Sequence, residues 1–125
     1  MGIDIYAHWQ GQTEAEQEAQ WTGFSVEHGH MGYLREAYHG EPYATPSLVR
    51  EAFDHPDRAV QIPAAVLRER LPHTLALAAV REQVVYHEYD LKAIRVVQQS
   101  FEDFVELCER NEQETGQPVT IVASF

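Results

Sequence analysis

The apolar stripe between Asp90 and Thr115 constrains the fold more than any other stretch of this chain. Ile94, Val97, Phe101, Phe104 and Cys108 recur at alternating intervals of three and four, and Leu91, Val105 and Leu107 widen the stripe. That is the period of a helix burying one face. Glu102, Asp103, Glu106, Glu109 and Glu112 fall on the other side and make it a solvated face. Gly116 offers an easy left-handed stop and Pro118 cannot continue the ladder. A helix starting near Tyr89 or Asp90 and reaching about Thr115 is therefore the central core element, and everything else must pack on it.

Strands are expected at both ends. Residues 2–9 alternate strictly, with Ile3, Ile5, Ala7 and Trp9 on one side and Asp4, Tyr6 and His8 on the other. Period two is the mark of a half-buried strand. Residues 119–125 alternate likewise, Val119, Ile121 and Ala123 against Thr120, Val122 and Ser124. Neither strand is stable alone, so the termini should meet in one small sheet against the long helix. Strands separated by so long a helical insertion imply an α+β fold, helix-dominated, in a single domain spanning residues 1–125.

Between the ends, Thr13 and Glu16 have capping-box spacing and open a short polar helix through about Trp21, of which Ala15, Ala19 and Trp21 can reach a core. Residues 24–26 read as a short edge strand. Residues 33–39 read as two helical turns stopped by Gly40 and Pro42. Thr45 before Pro46 starts a helix ending near Asp54. Ala64 to Leu71 makes a further helix that Pro72 ends or kinks. A fresh one follows from His73 to Tyr86, with Leu75, Leu77, Ala78, Val80, Val84 and Val85 giving it enough apolar surface to be largely buried.

The formal charge is −11, from 20 acidic against 9 basic side chains. Such a surface repels phosphate backbones, so nucleic acid is not an expected partner, whereas a basic protein is compatible. Cys108 is the lone cysteine, which allows no intramolecular disulfide and fits a reducing cytoplasm. No charged leader with an apolar run opens the chain, and no stretch approaches membrane-helix length, so no membrane role is expected.

The chemistry concentrates in residues 24–45. His28, His30, His39, Tyr33, Tyr38, Tyr43, Gly29, Gly32, Gly40, Arg35, Glu36 and Glu41 all fall there. Glycines let backbone approach a ligand, while His and Tyr supply donors, acceptors and proton transfer near neutral pH. Tyrosines packed into the core and solvated histidines would give the same composition without a site. If the outward side of the first strand faces this loop, Asp4 and His8 lie beside His28 and His30, a set suited to a divalent metal such as zinc or iron. Arg35, Glu36 and His39 would line an adjoining ligand site walled by Tyr33 and Tyr38, since on a helix Glu36 and His39 would share a face, as would Arg35 and His39. No nucleophile motif or phosphate loop accompanies them. The expected function is binding of a small ligand or metal ion. The alternative is a protein-interaction or oligomerisation module using the same aromatic loop.

Overall fold

The computed structural model describes residues 1–21 and 26–125, with backbone only at Val26 and Glu27. Its elements, in order, are β1 (Gly2–His8), α1 (Glu14–Trp21), a 3₁₀ turn (Val26–Met31), β2 (Tyr33–Ala37), α2 (Thr45–Leu48), α3 (Arg50–Asp54), β3 (Val60–Gln61), α4 (Ala64–Tyr86), α5 (Leu91–Thr115) and β4 (Thr120–Ser124). The expected edge strand at residues 24–26 falls mostly outside the described residues.

The terminal strands do meet. β1 and β4 pair antiparallel at the centre of a four-stranded sheet ordered β2-β1-β4-β3, and α5 packs beneath it, an α+β architecture. Ile3, Ile5 and Ala7 alternate into the core with Leu34, Ile121 and Ala123. They meet Phe101, Phe104, Val105 and Cys108 of α5 and Leu67 and Leu71 of α4. Asp90 caps α5 by accepting the Lys92 amide at 2.9 Å, and Gly116 ends it at φ +75°. The capping box of α1 is formed in both directions, Thr13 N–H to Glu16 at 2.9 Å and Glu16 N–H to Thr13 Oγ1 at 3.1 Å.

Several local readings change. Residues 33–37 are a strand, not a helix, because register with β1 (Asp4 opposite Arg35, Tyr6 opposite Tyr33) outweighs the short-range helical spacing. The helix expected from Thr45 is two short helices broken at Val49, and the Thr45 hydroxyl is turned to Glu36 rather than capping. α4 runs unbroken through Pro72. Pro72 and Arg68 both lie on the wet side, so the carbonyl deprived of its partner faces water, while Leu67, Leu71, Thr74 and Ala78 keep one stripe buried across the proline. Val80 and Val84 are exposed, so α4 buries less than its composition suggested. In α1 the inward residue is Gln20, and Trp21 is exposed. Among the described residues, no helix is long and apolar enough to cross a membrane.

Candidate functional site

The side chains singled out from sequence separate into three places. The first is the outer face of β1 and β2. Backbone bonds from Ala7 to Gly32 and from Tyr38 to Met1 fix the hydrogen-bonded pairs, so Asp4–Arg35 and Tyr6–Tyr33 occupy the alternate, non-hydrogen-bonded positions where facing side chains lie closest. Arg35 Nη1 donates to both Asp4 oxygens at 2.7 and 2.9 Å, and the Tyr33 hydroxyl donates to Asp4 at 2.5 Å. The Tyr6 and Tyr33 rings are 5.2 Å apart, and His28 meets Tyr33 edge-on at 6.4 Å. The first strand and the imidazole-bearing turn are thus joined through Tyr33. Burial, then the bond to Asp4, pushes the Tyr33 phenol well above its ordinary range. Tyr6 is raised as well, again by burial first and Asp4 second. Asp4 holds the Arg35 guanidinium more firmly in its charged form.

The second place is the core side of β2, where Glu36 points opposite to Arg35. Glu36 accepts the Ala44 and Thr45 amides, both at 2.7 Å, and the Thr45 hydroxyl at 2.5 Å. Arg81 approaches it to 3.6 Å, donates to the carbonyls of Ala37, Gly40 and Pro42, and lies 4.6 Å over the Tyr43 ring. His39 shares a 3.1 Å hydrogen bond with the Tyr86 hydroxyl, and Tyr38 packs edge-on to Tyr43. Arg81 and Glu36 are both buried. This cluster folds the 38–44 loop onto α4, and the helical turns expected to set Glu36 and Arg35 each beside His39 do not exist because β2 is extended. Arg81 has a sequence signal: it continues the stripe Leu71, Thr74, Ala78 as a charge on a buried face.

The third place is the end of the sheet where β1 gives out. A cleft of about 410 Å³ opens between Trp9, α1, the 3₁₀ turn and the C-terminal half of α5, with Trp9, His30, Met31, Arg110, Asn111 and Glu114 among its walls. A smaller hollow of about 240 Å³ on the other side of Trp9 takes in His8, Thr120 and Gln61. Gly29 presses the turn onto α5, its amide donating to Ser100 Oγ at 2.9 Å, and an added Cβ would fall on the Ser100 carbonyl. Gln20 clamps the turn to β1: its Nε2 lies 2.8, 2.9 and 3.3 Å from the carbonyls of Ala7, Met31 and Gly32. Gly32 at φ +80° leaves room for that amide, which an added Cβ would approach to 2.8 Å. Sequence reading missed Arg110, Asn111 and Glu114; Asn111, three residues beyond Cys108 on the apolar stripe, was the available signal.

Asp4, His8, His28 and His30 do not assemble as one ligand set. Asp4 is held by Arg35 and Tyr33, His8 donates from Nδ1 to Gln12 at 3.0 Å, and His30 turns to the cleft. Among the described residues no three His, Cys, Asp or Glu side chains gather as a metal ion would require. Cys108 is buried, which pushes its thiol far above the ordinary range and away from nucleophilic use.

A larger hollow, about 860 Å³, lies elsewhere, along the N-terminal half of α5 with Leu91, Ile94 and Val96. Its lining also takes in Lys92, Arg95, Gln99 and Asp103 of α5 and Ala79 and Gln83 of α4, so it is a trough between the two long helices. The fold and its cleft define a small α+β domain with a polar, tryptophan-walled hollow at one end of its sheet. Compared with known protein families, curated proteins and solved structures, the chain matches none.

Proposed function

We propose that this domain binds a small organic ligand in the cleft beside Trp9. The observation that carries the reading is convergence: β1, the 3₁₀ turn and α5 each bring a recognition group, Trp9, His30 and the Arg110–Asn111 pair, to one hollow of about 410 Å³. Small-molecule sites are typically concavities of roughly 300–1,000 Å³ with a few convergent polar groups and an aromatic wall. Of the site residues picked out in the sequence, His30 lines this cleft. Replacing Trp21 by Phe leaves Trp9 as the lone indole, so its emission reports on the cleft. Titration with a fragment collection should give saturable changes that weaken in His30→Ala. A collection that shifts neither the Trp9 emission nor the unfolding temperature would remove the reading.

A second reading, a basic protein partner or a second copy of the chain, is favoured by exposed apolar side chains. Leu91 is 78% and Val96 48% exposed along the α5 trough, and Tyr38 on the aromatic loop is 44% exposed. Sedimentation at two salt concentrations tests it: association that is lost in Leu91→Gln or Tyr38→Ala supports it, and a monomer indifferent to both changes counts against it.

A further inference from the structure

We infer that the ligand of the Trp9 cleft is a small zwitterion with a flat side group, a free aromatic amino acid being the simplest member of the class; this rests on the cleft being a binding site. Charge is the argument. Five of the eight arginines are paired with carboxylates, Arg35 with Asp4, Arg68 with Glu109, Arg70 with Glu51, Arg81 with Glu36 and Arg95 with Glu102; of the three without an ion pair among the described residues, Arg50, Arg58 and Arg110, it is Arg110 that lines the cleft. Arg110 pairs with no described residue, although Glu114 stands one helical turn away on the same wall. Glu114 is likewise without an ion-pair partner among the described residues. The two are four apart on one face of α5 and both exposed, so they present a donor fork and an acceptor to the same cleft.

The sign of the field selects among ligands. A molecule of net charge −11 repels a simple anion, however well Arg110 would receive its carboxylate. A simple cation is attracted overall but must lie against the Arg110 guanidinium. A zwitterion carries no net charge, meets Arg110 with its carboxylate and Glu114 with its ammonium, and loses least in both respects. Trp9 supplies the flat apolar wall for a ring, and the Asn111 side chain, which already donates to the Leu107 carbonyl at 2.9 Å, keeps its own oxygen as an acceptor.

The test uses the Trp21→Phe protein and three probes of one size: phenylalanine, 3-phenylpropionate lacking the ammonium, and phenethylamine lacking the carboxylate. Phenylalanine should bind about tenfold or more tightly than either, the worth of one charge-assisted hydrogen bond. Arg110→Gln should abolish its advantage over phenethylamine, and Glu114→Gln its advantage over phenylpropionate. Both positions are exposed, so unchanged unfolding temperatures are expected and separate lost recognition from lost fold. Equal binding of the three probes, or discrimination indifferent to both substitutions, overturns the inference and leaves the cleft a binding site. If none of the three binds while other fragments do, the ligand class is wrong. If nothing binds, the proposed function falls with it.

Discussion

At the scale of single residues, the groups that looked most reactive in sequence are largely consumed in holding the chain together. Tyr33 is 2% exposed and gives its hydroxyl to Asp4, so folding favours the neutral phenol. The sign follows from the raised value: the stabilisation is fully present below the unfolded tyrosine value of about 10 and is lost as pH rises beyond it. Urea midpoints measured from pH 8 to about 11 should therefore fall more steeply above 10 in the native sequence than in Tyr33→Phe; parallel curves would deny the coupling. Gln20 is a second case. Its Nε2 faces three carbonyls, which fixes the orientation of the amide and leaves Oε1 without a partner among the described residues. Gln20→Ala removes a buried donor from the carbonyls of Ala7, Met31 and Gly32 and should cost about 1–3 kcal/mol in denaturant unfolding. A loss below a few tenths of a kcal/mol would mean that the turn is anchored otherwise.

Among elements, the loop between β2 and α2 shows how a charged pair can be structural. Glu36 satisfies the first amides at the start of α2, while Arg81 reaches from α4 to collect three carbonyls of the same loop. Neither partner tolerates being left alone out of water. Arg81→Ala should cost about 3–5 kcal/mol, and adding Glu36→Gln to it should cost less than the sum of the two single changes, since the second removes a charge the first had stranded. Strict additivity in a double-mutant cycle would show that the two act independently. Arg81 shows in the sequence as a charge on a buried stripe, but its pairing was hidden because Glu36 lies 45 positions away. Reading residues 33–39 as a helix placed Arg35 and Glu36 each beside His39, whereas in a strand successive side chains point to opposite sides of the sheet.

For the molecule as a whole, the acidic excess acts on both folding and recognition. With a formal charge of −11, compaction brings like charges together, and the ion pairs on Arg68, Arg70 and Arg95 relieve this only locally. Screening shortens from roughly 30 Å at 0.01 M to about 8 Å at 0.15 M ionic strength. The unfolding midpoint should accordingly rise across that interval, and a midpoint that falls would mean the pairs outweigh the repulsion. The same field is the reason the ligand proposed for the Trp9 cleft carries no net charge.

The sequence by itself determined the α5 stripe, its Asp90 and Gly116 ends, the Thr13–Glu16 box and the two terminal strands. Each of these is a local pattern: its period or its cap is complete within one turn or one strand. Tertiary structure decided what those patterns could not. It made residues 33–37 a strand by offering β1 as a partner, carried α4 past Pro72 by burying one face on both sides of it, and turned His28 to Tyr33 and His30 to the cleft. The physical reason is common to all three: backbone pairing and apolar burial between distant segments outweigh propensities of a fraction of a kcal/mol per residue, and only the folded chain shows which segments meet.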